Sequence, residues 1–254
     1  MKILITGAKG FIGRNLIEAL EKIKEVEIFA YDKSSGSGTL QIFTGACEFV
    51  YHLAAVHRPE DESEFERVNH LFFADLLKML RDKNNSCPVL LPSSIQAGED
   101  SGYGKSKLAA EKALKKHSEL TGARAIIYRL TNTFGRYAKP NHHSVVATFC
   151  YNIARNLPIE ISDPDHVMKF YYIDDVIASF INHLHNNLKP DADGFYRLPE
   201  ELTYEITLQE LADIIYSFNV WVDKGLSPIY PDELSLKLYQ TYLSYIDTKT
   251  ADGI

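Results

Sequence analysis

The order of segments along the chain predicts an α/β fold: a parallel sheet flanked by helices, followed by a small C-terminal lobe. Three observations carry this reading. Short runs rich in β-branched and aromatic residues alternate with stretches whose apolar residues recur at helical spacing through residue 135, as strands joined by helical crossovers do. A G-x-x-G-x-x-G turn separates the first such strand from the first such helix, which makes the sheet Rossmann-type. The 254 residues, 45% apolar and 24% charged, suffice for one large domain or a domain with a small lobe.

Residues 2–5 form the first strand, and residues 11–20 carry apolar side chains on one helical face,. Between them lies Gly7-Ala8-Lys9-Gly10-Phe11-Ile12-Gly13. Gly7 permits the tight turn, Gly10 leaves room for a pyrophosphate beside the backbone, and Gly13 lets helix and strand pack closely. The opening helical residues, Phe11, Ile12 and Gly13, offer free N–H groups and a partial positive charge to phosphates. Residues 26–31 form a second strand that ends at Asp32-Lys33. An acid about 20 residues past the glycines suits the ribose hydroxyls of NADH, whereas a neighbouring base suits the 2′-phosphate of NADPH. Both cofactors stay open.

Residues 49–55 read as a further strand running out into Leu53-Ala54-Ala55, small enough to pass beneath a cofactor. Only fourteen residues, 34–47, precede it. A full crossover takes at least about 10–12 residues, so one strand of the usual sheet is expected to be missing or vestigial. A helix over 65–83, a strand over 88–92 and a polar turn over 93–96 follow. Tyr103 and Lys107 then open a helix running to about residue 117. Four residues apart, they share a face. A phenol titrates near pH 10, and a close ammonium favours its anion, so the pair suits proton exchange with an alcohol or carbonyl oxygen. The same spacing marks many solvated helix faces, so the weight rests on the glycine turn and on Ser93-Ser94 upstream. Ser94 is the serine taken to hold the substrate oxygen, with Ser93 the alternative.

Composition excludes several classes. Lys and Arg total 27 against 34 Asp and Glu, a formal charge of −7, which argues against nucleic acid or an anionic membrane as partner. Cys47, Cys87 and Cys150 are odd in number and widely spaced, unlike a disulfide framework or a zinc cluster, so a reducing compartment is expected. Adjacent His142-His143 and the pair His183 and His185 lack the further ligands zinc wants, and no metal is expected. With no apolar run near the roughly 18 residues of a membrane span and too short an apolar start for a signal peptide, the expected location is cytoplasmic.

Taken together, the glycine turn, His52-Leu53-Ala54-Ala55, Ser93-Ser94, Tyr103 with Lys107, Arg129-Leu130-Thr131-Asn132-Thr133-Phe134-Gly135 and Tyr172-Ile173-Asp174-Asp175-Val176 resemble the extended short-chain dehydrogenase/reductases. That resemblance implies Tyr103 as acid/base, Lys107 on the nicotinamide ribose, Ser94 on the substrate oxygen, and Asn132 in a nucleotide-sugar pocket. Residues 92–97, Lys139-Pro140-Asn141, residues 144–150 and residues 239–245 look like the reductase half of CapF-type enzymes of capsule and O-antigen synthesis. The implied reaction is reduction at C4 of a UDP-linked 4-keto-6-deoxy-2-acetamido sugar by NADPH or NADH. Members of that group usually continue into a metal-binding cupin domain with epimerase activity. This chain stops at Ile254, so the expectation is a shortened chain or a natural single-domain form.

The reading divides the chain into a dinucleotide-binding domain, residues 1–135 with about 170–198 returning to it, and a substrate-binding lobe, residues 136–169 and 199–254. A diphosphate needs donors, and Arg136, Lys139, Asn141 and Arg155 are at hand, with His143 a further pocket candidate. A homodimer is expected. Two alternatives remain: a sugar-nucleotide 4-epimerase or dehydratase holding NAD tightly, and a non-catalytic dinucleotide-sensing regulator. The Tyr103 and Lys107 pair weighs against the regulator, which has no need of it.

Overall fold

The computed structural model of the protein describes residues 1–36, 38–142, 144–225 and 230–246. It divides into two compact units: Met1–Leu130 with Ile177–Arg197, and Thr131–Val176 with Leu198–Ile254. Residues 131–135 and 170–176, which the sequence reading assigned to the first domain, fall in the second unit.

In the first unit the described residues form a parallel sheet of β1 (Lys2–Thr6), β2 (Glu27–Tyr31), β3 (Phe49–His52), β4 (Val89–Ser94) and β5 (Ala125–Leu130), in the order β2-β1-β3-β4-β5. Helices α1 (Phe11–Leu20), α2 (Thr39–Ala46), α3 (Phe72–Asp82) and α4 (Gly102–Thr121) make the connections. A π-helical stretch, Phe65–Leu71, leads into α3. On α3 the buried residues are Phe73, Leu76, Leu77 and Leu80, an i, i+3, i+4, i+7 stripe. They join Leu4, Val50, Val89, Leu91, Leu114 and Ile127 in one core, each such side chain worth roughly 1.5–3 kcal/mol over exposure. The segment Ile177–Arg197 returns to this unit, where Tyr196 N donates to Ile127 O at 2.8 Å.

The short stretch after Lys33 has a simple resolution. The eight-residue helix α2 carries the chain from β2, across β1, straight to β3. No strand pairs outside β2 among the described residues, so β2 is the edge. Ser93 and Ser94, expected in a turn, are the last two residues of β4 and pair with Arg129 and Leu130 of β5. The ladder between β3 and β4 ends at Leu90. Pro92 therefore sits where β4 is paired on one side only, and its missing N–H breaks no ladder bond. Cys47 and Cys87, 40 positions apart in the sequence, lie with sulfurs 3.9 Å apart as free buried thiols.

In the second unit β6 (Asn132–Phe134), β7 (Val167–Tyr172) and β8 (Tyr204–Thr207) form a small sheet among the described residues, β6 parallel and β8 antiparallel to β7. Helix α5 (Val145–Ala154) packs on α7 (Leu208–Asp223) and α8 (Glu233–Ile246). Between β7 and β8 in the sequence, α6 (Ile173–His185) begins in the second unit and continues into the first. Thr207 and Glu210 cap α7 reciprocally, which satisfies two otherwise free helix N–H groups. The sequence assigned no element within residues 136–169, yet α5 lies there and buries Val146, Phe149, Cys150 and Ile153.

Candidate active site

The glycine turn places backbone where side chains cannot go. Gly7 has φ +71, and a Cβ there would meet Ala54 N at 2.6 Å and Leu53 C at 2.7 Å. A Cβ on Gly13 would meet Gly7 O at 2.3 Å, so that glycine closes the turn on itself rather than on the strand. Leu53 N donates to Thr6 O at 3.1 Å and Ala54 N to Thr6 Oγ1 at 3.3 Å. The end of β3 is thus fixed against the turn, while Ala55 is exposed. Gly10 caps α1 with no side-chain bond to its first N–H groups. A cradle free of Cβ atoms before an uncapped helix N-terminus fits the pyrophosphate of a nicotinamide dinucleotide.

At the end of β2, Asp32 is held far below the usual carboxylate range, at about 2, by Ser34's hydroxyl and backbone N–H and by Lys9. Ser34 N and Oγ donate to Asp32 Oδ1 at 2.7 and 2.6 Å, and Lys9 Nζ lies 3.0 Å from Oδ2. Lys33 is exposed. Sequence reasoning passed over Lys9; a base inside the glycine turn was the signal that would have found it.

Below the turn, His52 is buried with Nδ1 3.0 Å from Thr6 Oγ1 and its ring stacked 4.1 Å from Phe73. Burial, with the charge of Lys107 adding, lowers its pKa to about 3, so the imidazole is neutral.

The chemical end lies where β4 meets α4. Ser101 caps α4 by accepting from Gly104 N at 2.9 Å, and Tyr103 follows in its first turn. The Ser94 hydroxyl acts on the Tyr103 phenol, favouring its anion, and Ser94 Oγ accepts from Gln96 N at 3.2 Å. Ser93 Oγ instead donates to Glu111 Oε1 at 2.5 Å. The neighbouring serines thus have different partners. One turn along α4, the fully buried ammonium of Lys107 donates to Pro92 O at 2.6 Å. Burial lowers its pKa to about 8, against the raising effect of Glu111. Burial also raises the Tyr103 phenol, against the lowering effect of Ser94. The sequence reading expected the ammonium to lower that phenol, but here Lys107 is spent on Pro92 and desolvation prevails.

Two neighbours of Tyr103 were invisible in the sequence because they come from the irregular stretch after β3 and from the π-helical stretch. The His57 ring lies 4.4 Å from that of Tyr103, and Phe65 lies 6.1 Å away.

The remaining nominated residues belong to the second unit. Asn132 is exposed and donates to Lys169 O at 3.2 Å. Arg136 Nη1 reaches both carboxylate oxygens of Asp174, at 2.9 and 3.1 Å. Arg155 lies over the Tyr151 ring at 3.7 Å and donates to Tyr245 O at 3.1 Å. Asn141, at φ +53, donates from its backbone to Thr148 Oγ1. Of these donors only Lys139 is exposed with neither an ion pair nor a hydrogen bond among the described residues. His143 lies outside the described residues. Among the described residues no group of three His, Cys, Asp or Glu is placed to hold a metal, and no helix is long and apolar enough to cross a membrane.

The chain is similar to several known proteins. A UDP-2-acetamido-2,6-beta-L-arabino-hexul-4-ose reductase of Pseudomonas aeruginosa is 37% identical over 246 residues, which cover 97% of this chain and 65% of that protein. The crystal structure of the capsular polysaccharide assembling protein CapF from Staphylococcus aureus matches with TM-score 0.85 and 33% identity, over 98% of this chain and 66% of that one. The chain therefore spans slightly less than two thirds of either. A UDP-glucuronic acid 4-epimerase from Bacillus cereus, in complex with NAD, shares the fold at TM-score 0.76 and 21% identity, over 98% of this chain and 99% of that one. The sequence profile that matches residues 3–193 spans the glycine turn, Ser94, Tyr103 and Lys107, and by that match the chain belongs to the NAD dependent epimerase/dehydratase family.

Proposed function

We propose that the protein is an NAD(P)H-dependent reductase that converts the C4 carbonyl of a UDP-linked 4-keto-6-deoxy-2-acetamido sugar to an alcohol, in the making of capsule or O-antigen sugar nucleotides. The observation that carries the reading is the Ser94 hydroxyl acting on the Tyr103 phenol, with the Lys107 ammonium buried one turn along the helix. Kinship with the hexulose reductase supports the sugar. Gly7, Gly10 and Gly13, the N–H groups of Phe11 and Ile12, the segment Leu53-Ala54-Ala55 and the Asp32-Lys33 corner would hold the cofactor.

When bound, the nicotinamide supplies hydride to C4. Ser94 donates a hydrogen bond to the carbonyl oxygen and holds it beside Tyr103. A phenol raised by burial keeps its proton at neutral pH and gives it to the alkoxide forming at that oxygen. Lys107, protonated below about 8, balances the phenolate left behind and takes the ribose. Asn132, Arg136, Lys139, Asn141 and His143 are proposed as substrate contacts; Lys139 has no competing partner among the described residues, whereas Arg136 must share its charge with Asp174. A homodimer in the cytoplasm belongs to the same reading, and three buried free thiols suit a reducing compartment.

The test supplies the keto sugar nucleotide with NADPH or NADH and follows loss of reduced cofactor. The wild type should consume it stoichiometrically, and Tyr103→Phe should be slower by about 10²–10⁴-fold. Equal rates in the two proteins reject the assignment. Conversion without added reductant, by protein purified with bound NAD, would instead favour the epimerase or dehydratase alternative.

A further inference from the structure

The carboxylate behind the catalytic helix is not explained by the reaction as described. Glu111 follows Lys107 by one turn on α4 and is 1% exposed. Its Oε1 accepts from Ser93 Oγ at 2.5 Å and from Arg129 Nε at 3.0 Å, and its Oε2 accepts from Arg129 Nη2 at 2.8 Å. Arg129 lies on β5 and stacks 3.8 Å above the Phe195 ring. One side chain of α4 is thus tied at once to β4 and β5. Burying a carboxylate so deeply is unfavourable unless it is paired, and the two-toothed Arg129 guanidinium supplies that pair for Glu111,.

We propose that Glu111 is a positioning residue for the reaction proposed above: it locks the helix bearing Tyr103 and Lys107 to the strand bearing Ser94, and its negative charge keeps Lys107 an ammonium. The inference rests on that reading of the reaction. Around Lys107, β4 contributes only the uncharged Pro92 carbonyl, β3 contributes the neutral His52, and α4 contributes the protonated Tyr103 one turn before and Glu111 one turn after. Among these groups Glu111 is the one that opposes burial. Ser93, adjacent to Ser94 on β4 and so on the opposite face of the strand,, donates to the same carboxylate, which leaves Ser94 to the substrate oxygen.

The experiment replaces Glu111 by Gln, which keeps size and hydrogen bonding but removes the charge. Lysine labelled with 13C at Cε, with the Lys107 signal assigned from Lys107→Arg, is titrated by NMR between about pH 6 and pH 10, and the pH profile of reductase activity is measured in parallel. The Lys107 midpoint should fall by about one pH unit in Glu111→Gln, and the alkaline limb of kcat should move with it while KM changes by less than about twofold. If the single variant does not fold, Glu111→Gln with Arg129→Gln removes both charges, avoids stranding the guanidinium, and should shift Lys107 in the same direction. A folded variant with an unmoved Lys107 midpoint overturns the inference, and so does a moved midpoint with an unmoved kcat limb. Should the wild type show no reductase turnover, the reading of the reaction fails, and the NMR midpoint alone decides whether Glu111 holds the charge of Lys107.

Discussion

Lys107 donates to the carbonyl of Pro92 at 2.6 Å, joining the helix that carries Tyr103 to the strand that ends in Ser94. Pro92 is the one residue of β4 without an N–H, and it lies beyond the last register pair between β3 and β4. Its carbonyl is therefore available to a side chain.

Burial lowers Lys107 to about 8, within reach of ordinary assays. The group is needed protonated, so kcat/KM for the free enzyme should be flat near neutrality and fall as pH rises through about 8. A pH profile of kcat/KM measures this directly. Lys107→Met should lose activity at every pH and lack that limb; if the limb persists in Lys107→Met, it belongs to another group.

The glycines of the turn should separate binding from folding. On Gly13 a new Cβ meets Gly7 O at 2.3 Å, whereas on Gly10 the nearest atom is the same oxygen at 3.1 Å. Gly13→Ala should force the turn open, lowering the melting temperature and cofactor affinity together. Gly10→Ala should melt nearly as the wild type does yet bind the dinucleotide at least about tenfold more weakly, since its Cβ intrudes where the pyrophosphate approaches. Fluorescence titration with NADPH and a thermal melt measure the two effects, and equal affinity for Gly10→Ala and wild type would remove the pyrophosphate from this turn.

The chain wrote some of this plainly and some not at all. Strand, glycine turn and helix over residues 2–20 were legible because each step is local: a β-rich run, three glycines and an apolar stripe. Tyr103 and Lys107 were legible because helical spacing fixes their common face. Ser94 against Ser93 was not, since the choice depends on Glu111 and Arg129, 17 and 35 positions beyond Ser94 and brought back by β5. Helix α5 escaped notice because Pro140, Asn141, His142 and His143 stand just before it and read as irregular polar chain. The state of Tyr103 was misjudged for a different reason: spacing places two side chains on one face but does not say that a main-chain carbonyl will claim the lysine first.

Lys9 should set cofactor choice. It lies 3.0 Å from Asp32 Oδ2 and donates to Ser34 Oγ at 2.8 Å, so the Asp32 carboxylate faces the ribose corner already neutralised. A free carboxylate there accepts ribose hydroxyls and repels a 2′-phosphate. Lys9→Ala should therefore turn the enzyme toward NADH, lowering the ratio of kcat/KM for NADPH over NADH by about tenfold. Asp32→Asn should raise the same ratio. Ratios that stay at the wild-type value in both variants would take this corner out of cofactor selection.

His52 should make the protein sensitive to acid. Its imidazole titrates at about 3 in the folded chain against 6.5 in the unfolded one, because burial disfavours the charged form. Between these values the unfolded chain binds the additional proton, so folding weakens as pH falls, by ~1.4 kcal/mol per pH unit from this group alone. His52→Asn loses ring packing against Phe73 and should be less stable at neutral pH by roughly 2 kcal/mol, yet it lacks the titration. The deficit seen at about pH 7 should therefore be largely gone by about pH 5. His117 and His183 are also lowered by burial, but both remain in each protein and cancel in the difference. Urea unfolding of wild type and variant at the two pH values measures it; a deficit unchanged between them would mean that His52 is already charged, or exposed to water, in the folded chain.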